Sequence, residues 1–272
     1  VRGAAAETAS LVSSAAIFLL FFLNGVRLPR DEVLHGVRNW RLQGAIFLFV
    51  FGVMPLAGLV LSHLFDNLLP PLLALGLLFT AILPSTVQSA TAYCGLAKGN
   101  VAASVVAAAL VNLVGVILAP LLFALLAHVG EAQFSGTAIG RIALILLLPF
   151  ALGQVAQRWF KPWVDDHKSI ATWMDRASIA IAVYVAFSGA VEAGIWSIVR
   201  GSEMAWLSLA LVTMLIIGFG GSWALGSAMK LPRPDRITML FSGAQKSIAI
   251  GAPLAATIFP PAIAGMVLLP TL

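Results

Sequence analysis

The stretch D-R-I-T-M-L-F-S-G-A-Q-K-S-I-A-I-G-A-P-L-A-A-T-I-F-P-P, Asp235 to Pro261, is apolar enough to enter a bilayer but carries a lysine in its middle. Lys246 lies ten residues beyond Arg236, and at about 1.5 Å per helical residue that is about 15 Å, half of a hydrocarbon core about 30 Å thick. Lysine at the centre of a lone membrane helix costs roughly 2.5 to 3.5 kcal/mol, so the fold must offer it a partner, a cavity or a neutral state.

The residues around Lys246 indicate that this membrane helix is interrupted. Glycine and proline weaken helical continuity, and hydroxyl and amide groups add polar atoms, at Ser242, Gly243, Gln245, Ser247, Gly251 and Pro253. We expect the break around Gly243 to Lys246. Non-helical backbone at this depth is tolerated when it is buried in protein or lines water, and transporters use such breaks as binding sites. The alternative is that Lys246 snorkels to an interface along its aliphatic stem.

The composition identifies an integral membrane protein. Apolar residues make up 60% of the 272 residues and charged residues 10%, whereas a soluble domain has about 25% charged residues. The single cysteine excludes an intrachain disulfide. The chain begins with Val1 and stops within an apolar run, which predicts a fragment that lacks its first helix and most of its last.

Eight apolar segments of spanning length and the start of a ninth are predicted as helices, at about 8–28, 42–64, 72–98, 101–128, 137–157, 170–198, 204–229, 235–261 and from 262 onwards. The third segment contains Pro84 and several polar residues, which predicts a second broken helix with its break at Pro84 to Ser89. A longer polar link is expected after the fifth segment, carrying Arg158, Lys161, Asp165, Asp166, Lys168 and Asp175.

The distribution of basic residues predicts the orientation of the segments. Of the 16 lysines and arginines, 12 follow odd-numbered segments: Arg27, Arg30, Arg38, Arg41, Lys98, Arg158, Lys161, Lys168, Arg176, Lys230, Arg233 and Arg236. The opposite side has only Arg2, Arg141 and Arg200, and Lys246 is the remaining one. By the positive-inside rule the first group is cytoplasmic.

The two broken segments are five segments apart and therefore run in opposite directions. Interrupted helices at corresponding positions of two opposed halves are typical of transporters built from inverted repeats. The sequence therefore predicts an all-α membrane protein with a ten-helix inverted-repeat fold and two discontinuous crossing helices. The whole chain, 1–272, is one transmembrane unit, with a first half at about 8–128 and a second at about 137–272.

Polar residues near the two breaks are the candidate substrate-binding or ion-binding residues: Gln88, Ser89, Ser104, Asn112, Ser242, Gln245 and Lys246. Ser104, Ala108 and Asn112 are spaced four residues apart and so share one helix face. The alternative for Ser104 and Asn112 is a role in helix packing, which small and polar residues often have in membranes.

The motifs L-P-S-T-V-Q-S-A-T-A-Y, A-K-G-N-V-A-A-S and F-S-G-A-Q-K-S, in this order, resemble the bile acid:sodium symporter superfamily. The resemblance is greatest to a bacterial branch related to the seventh human member, and it covers nearly the whole chain. It implies panel and core domains, crossing helices at sodium sites and a rocking alternating-access cycle. It also implies that Ser89, Ser104 and Gln245 correspond to the family's sodium-binding positions.

The chain departs from the family pattern at three neighbouring positions. Phe241 stands where the family has glutamate, Ala108 where threonine is usual, and Lys246 where asparagine follows the glutamine. Without that carboxylate most of the charge that would hold Na⁺ is lost. We therefore hypothesise that Lys246 replaces one bound cation, either as a permanent charge facing an anionic substrate or as a proton-coupling group.

These observations predict a secondary active transporter of a small, anionic organic solute, in the bacterial plasma membrane and coupled to Na⁺ or H⁺. No other cofactor, no metal beyond Na⁺ and no nucleic-acid partner is expected; substrate and membrane lipid are the expected partners. A channel would need a continuous polar lining, and an enzyme would need a nucleophile with a base, or metal ligands, at depth. The alternative is a non-transporting scaffold or regulatory protein of the same fold.

Overall fold

The computed structural model describes residues 4–27, 39–127, 136–192, 194 and 199–272. These residues form eleven α-helices and no strand: α1 Ala4–Arg27, α2 Trp40–Leu64, α3 Pro71–Ile82, α4 Gln88–Leu96, α5 Val101–Leu126, α6 Gly136–Asp166, α7 Lys168–Glu192, α8 Gly201–Ala228, α9 Arg233–Ala244, α10 Ile248–Ile258 and α11 Pro261–Leu268. A short 3₁₀ turn, Leu269–Thr271, follows α11. The all-helical architecture predicted from the sequence is confirmed for these residues.

Within the part of the chain that the structure describes, four helices are long and apolar enough to cross a membrane: α2, α5, α7 and α8. Shorter apolar helices lie at Leu11–Arg27, Pro71–Ile82 and Ala262–Thr271. Backbone hydrogen bonds are satisfied within a helix, which is why this secondary structure suits a chain that lipid surrounds.

Both predicted broken helices are broken, although the breaks are shifted. The first lies between α3 and α4 at residues 83–87, so that Gln88 and Ser89 begin α4. Leu83, which precedes Pro84, has an extended backbone (φ −62°, ψ 145°), as the clash with the proline ring requires. The second break lies between α9 and α10 at residues 245–247.

Three residues that we expected to interrupt the second broken helix are helical instead. Gly243 lies in α9, while Gly251 and Pro253 lie in α10. A methyl group added at Gly251 would lie 2.6 Å from Cδ1 of Leu83, so this glycine lets α10 approach the first break. Pro253 removes one backbone donor, which is too little to end a helix that packing holds in place.

The polar link predicted after the fifth segment is wrong. Helix α6 continues to Asp166 and α7 begins at Lys168, with His167 alone between them. A helix of 31 residues is about 46 Å long and exceeds a hydrocarbon core of about 30 Å. Its charged end therefore extends into water, where helix is compatible with charge, and Lys161 pairs there with Asp165 one turn on, at 3.4 Å.

Helix α2 contains a π-helical turn at Phe49–Val53 that shapes the approach of α9. Pro55 follows this turn, and its ring would clash with the carbonyl of the residue four positions earlier in a regular helix. The wider turn relieves that clash. Gly243 of α9 faces this turn, because a methyl group added there would lie 3.1 Å from the Phe49 ring.

Helices α1, α6 and α7 pack together at one side of the protein. Two glycines allow α1 and α6 to approach closely. A Cβ atom at Gly25 of α1 would overlap the backbone oxygen of Phe150, and a Cβ atom at Gly153 of α6 would overlap that of Phe22. Gln157 Nε2 donates to the Val26 carbonyl at 2.9 Å. Arg27 also pairs with Asp175 of α7, which joins all three helices at one end.

Three chain segments that the charge pattern places on the same side of the membrane meet at Asp235. This buried carboxylate accepts hydrogen bonds from Nδ2 of Asn100 at 2.8 Å and from Nδ2 of Asn39 at 3.2 Å. Thr238 Oγ1 also donates to the Asn100 carbonyl, at 2.9 Å. The beginnings of α2, α5 and α9 therefore lie at one end of the fold, as the alternating topology predicts. Arg2, Arg30 and Arg38 of the charge pattern lie outside the described residues.

Candidate functional site

The two breaks contact each other directly. The backbone N–H of Ser247 in the second break donates to the carbonyl oxygen of Pro84 in the first, at 2.9 Å. This bond joins two segments of irregular backbone that would each have unpaired polar groups within a membrane. We call the residues around it, 81–89 and 245–247, the crossing site.

Lys246 points across the crossing site to the end of α3. Its Nζ donates to the carbonyl oxygens of Ala81 at 2.7 Å and Leu83 at 2.9 Å. The last carbonyls of a helix have no partner within the helix and form the negative end of its dipole. The ammonium therefore caps a half-helix, which explains how the fold tolerates a lysine at this position. It does not snorkel to an interface.

Gln245 joins the two breaks through its side chain. Its Oε1 accepts hydrogen bonds from Thr86 Oγ1 at 2.6 Å and from Ser89 Oγ at 2.8 Å. These two hydroxyl oxygens are also 2.6 Å from each other. The three side chains form a closed triangle of polar atoms, which we call the Gln245 triangle.

Ser104 and Ser242 belong to a separate group of hydroxyls. Ser104 Oγ lies 3.4 Å from Ser242 Oγ and 3.4 Å from Thr91 Oγ1, and both serine side chains are fully buried. The structure therefore brings Ser89 together with Gln245 but not with Ser104. The small side chains also fit the packing role that was the alternative for Ser104.

Two further predicted residues lie at the edge of the crossing site. Asn112 Nδ2 donates to the carbonyl of Ser85, at 3.0 Å, and to that of Ala108, at 2.7 Å, so it holds α5 against the first break. Gln88 is the first residue of α4 and its side chain is exposed. Ala108 is buried next to Asn112 on the same face of α5.

Phe241, which the resemblance places at the family's glutamate position, is packed among aromatic rings. Its ring centroid lies 5.8 Å from that of Tyr93 and 6.3 Å from that of Phe219. Such edge or tilted ring contacts are favourable beyond the area they bury. One turn before Gln245 the chain therefore makes an apolar contact.

Of the three residues proposed for Na⁺, the structure brings Ser89 and Gln245 together, and Ser104 lies in the separate hydroxyl group. The polar atoms of the Gln245 triangle, 2.6, 2.6 and 2.8 Å apart, are hydrogen-bonded to one another. No aspartate or glutamate lies in α3, α4, α10 or the two breaks, and Asp235 lies ten residues before Gln245. The described residues also contain no cluster of three metal-binding side chains.

Sequence reasoning missed Thr86 and the backbone carbonyls of Ala81 and Leu83. Thr86 belongs to the polar run that follows Pro84, and that run was the signal for it. The carbonyls have no signal in residue type, because every residue carries one. Only the end of α3 and the direction of the Lys246 side chain single them out.

Gln245→Leu tests the Gln245 triangle. We expect this change to lower the free energy of unfolding by about 1 to 2 kcal/mol, because the hydroxyls of Thr86 and Ser89 lose their shared acceptor. Gln88→Leu removes the same group from an exposed position and should leave stability unchanged. Thermal unfolding in detergent measures both, and equal effects of the two changes would contradict this assignment.

Comparison with known proteins identifies the family of this chain. The SBF-like CPA transporter family matches residues 1–272, which is the whole chain. An uncharacterized protein of Pseudomonas aeruginosa, PA2026, is 39% identical over 260 residues, which cover 95% of this chain and 78% of that protein.

Two more relatives carry transport names. The Escherichia coli protein named "Putative symporter YfeH" is 37% identical over 259 residues, 95% of this chain and 78% of that protein. The mouse sodium/bile acid cotransporter 7 is 22% identical over 267 residues, 95% of this chain and 77% of that protein. These similarities agree with the resemblance noted from the three sequence motifs. The chain is a multi-pass membrane protein that belongs to the SBF-like CPA transporter family.

Proposed function

We propose that this chain is a secondary active transporter of a small organic solute, and that the crossing site is where it binds. The observation that carries the proposal is the contact between two broken helices, through the bond from Ser247 to Pro84 and through the Gln245 triangle. Broken helices place backbone and side-chain polar groups within a membrane, where intact helices would place none. Gln88, Ser89 and Gln245 are the proposed first contacts of the solute, with Asn112, Ser104 and Ser242 supporting them.

The electrostatics of the crossing site favour an anionic solute. Lys246 is the charged side chain of the two breaks, and α3, α4 and α10 contain no acidic residue. Helix α9, on the other side of the second break, has one, Asp235, which lies ten residues before Gln245. Helix α4 begins at Gln88, and the start of a helix carries a partial positive charge with free N–H groups. The ammonium also has a third N–H proton beyond the two that bind carbonyls.

An ion gradient drives the proposed cycle. The mouse relative's name contains sodium, which supports Na⁺ as the coupling ion. The lack of a carboxylate in the two breaks supports H⁺ instead. The proposed architecture is a ten-helix inverted repeat with halves at about 8–128 and 137–272, and alternating access moves its two parts around the crossing. The relatives in Pseudomonas aeruginosa and Escherichia coli support a bacterial plasma membrane as the location.

A non-transporting scaffold of the same fold is the second candidate. The observation that favours it is the pairing of Lys246 with two carbonyl oxygens. This pairing gives the lysine a structural role that requires no solute. A scaffold would bind no solute at the crossing site, and uptake separates the two functions.

Uptake by the full-length protein in liposomes tests the proposal. A panel of radiolabelled organic anions is presented with a Na⁺ gradient, with a pH gradient and with neither. We expect gradient-driven uptake of at least one anion, and a loss of about tenfold or more with Lys246→Ala, which removes a charge at the solute site. Lys161→Ala, which removes an ammonium at the exposed end of α6, is the control and should transport normally. No gradient-driven uptake by a folded wild-type protein would favour the scaffold.

A further inference from the structure

Helix α3 is too short to cross a membrane, and its last carbonyl groups need a cationic or N–H partner. Its 12 residues rise about 18 Å from Pro71, more than half the thickness of a hydrocarbon core of about 30 Å. The Thr80 carbonyl accepts the N–H of Leu83 at 3.3 Å, so the turn satisfies one of the last four carbonyls. Pro84 has no N–H to satisfy another. This negative half-helix end would attract any small cation.

Lys246 supplies that cation from the other broken helix. Its Nζ lies 2.7 and 2.9 Å from the Ala81 and Leu83 carbonyl oxygens, the short distances typical of charge-assisted hydrogen bonds. The backbone of the next residue, Ser247, is hydrogen-bonded to Pro84. The Lys246 backbone and its ammonium are therefore both held next to the end of α3. Its partners are carbonyl oxygens, which are also ligands for free hard cations.

A second cation beside this ammonium would find no compensating charge. The acidic residues in the broken helices and the turns that flank them are Asp66 and Asp235. Asp66 lies before the start of α3, about 18 Å from its end, and Asp235 lies at the start of α9, engaged by two asparagine amides. The other charged residues there are basic: Lys98, Lys230, Arg233 and Arg236. Like charges at close range repel strongly where the dielectric is low. The fixed charge of Lys246 and a free cation therefore exclude each other at the end of α3.

We propose that Lys246 is a tethered cation that occupies a cation position at the end of α3, so that the crossing site assembles without bound Na⁺. Shortening this side chain to alanine empties the position and creates a site for a small free cation. This role of Lys246 deepens the proposed function, because it says what the charge at the crossing site does. Its test is cation binding rather than uptake, so a failure of the transport proposal would leave it standing.

The probes are NaCl, ethylammonium chloride and N-methylglucamine chloride at equal ionic strength, and the measurement is thermal unfolding of the full chain in detergent. We expect Lys246→Ala to lower Tm by roughly 5 to 10 °C, through the loss of two charge-assisted hydrogen bonds. Na⁺ and ethylammonium should restore at least half of this loss, because a ligand that binds only the folded state stabilises it. N-methylglucamine is too large for the vacated position and should restore nothing.

Lys246→Met is the matched control. Methionine removes the charge but fills most of the volume of the lysine stem, so we expect a similar loss of Tm without rescue by either small cation. Wild-type Tm should respond equally to NaCl and N-methylglucamine chloride. A rise of wild-type Tm specific to Na⁺ would overturn the proposal, as would a folded Lys246→Ala protein that shows no rescue. If Lys246→Ala does not fold, binding of radioactive Na⁺ to the wild type decides, since the proposal requires that none binds at the crossing site.

Discussion

Gly153→Val is expected to lower the free energy of unfolding by about 3 kcal/mol, the upper end of the usual range for overpacking. A Cβ atom at Gly153 would overlap the backbone oxygen of Phe22 in α1, and the next contact is the Phe22 carbonyl carbon at 3.0 Å. Backbone atoms cannot rotate away as a flexible side chain can, so α1 and α6 must separate. Separation also weakens the hydrogen bond from Gln157 to the Val26 carbonyl, 2.9 Å long in the folded protein.

Gly220→Val in α8 is the control for this prediction. No heavy atom lies within 4 Å of a Cβ atom built at Gly220, and this glycine is also within a helix. We expect its replacement to change stability by less than about 0.5 kcal/mol, because valine is a better helix former than glycine. Equilibrium unfolding in mixed detergent micelles measures both variants. A Gly153→Val protein as stable as the control would show that α1 and α6 do not approach as closely as described.

Asp235→Ala is expected to cost about 2 to 4 kcal/mol of folding free energy. The change removes a buried carboxylate that accepts from Asn100 at 2.8 Å and from Asn39 at 3.2 Å, and it leaves both amides without that partner. Hydrogen bonds to a charged group contribute about 1.5 to 3 kcal/mol each, and buried donors left unpaired are costly. The beginnings of α2, α5 and α9 should then separate.

Asp235→Asn separates charge from shape in the same experiment. Its amide keeps the volume but presents N–H donors to two asparagine donors, so we expect most of the loss to remain. Asp166→Asn, at the exposed end of α6, is the control and should be neutral. Unfolding in mixed micelles reports stability, and thiol labelling of the buried Cys94, whose Sγ lies 3.4 Å from Thr238 Oγ1 of α9, reports local opening. An Asp235→Asn protein as stable as the wild type would show that the carboxylate charge does not hold these helix ends together.

The sequence predicted the broken helices well because helix interruption is a local property. A proline after an extended residue ends α3, and a polar Gln-Lys-Ser run between α9 and α10 marks the second break. It predicted less well where a helix leaves the membrane. Charges at Arg158 to Asp166 looked like a link, but water solvates charged residues in a helix as readily as in a loop.

The sequence by itself determined that this is a membrane protein with two interrupted helices and a lysine at depth, since hydropathy, proline and charge act on the segment that contains them. Only the tertiary structure decided what the lysine binds and which polar residues meet. Lys246 reaches carbonyls at residues 81 and 83, Gln245 meets Thr86 and Ser89, and Ser104 pairs with Ser242 instead. The physical reason is that these partners are more than 130 residues apart in sequence, and both partners of Lys246 are backbone oxygens, which every residue type carries.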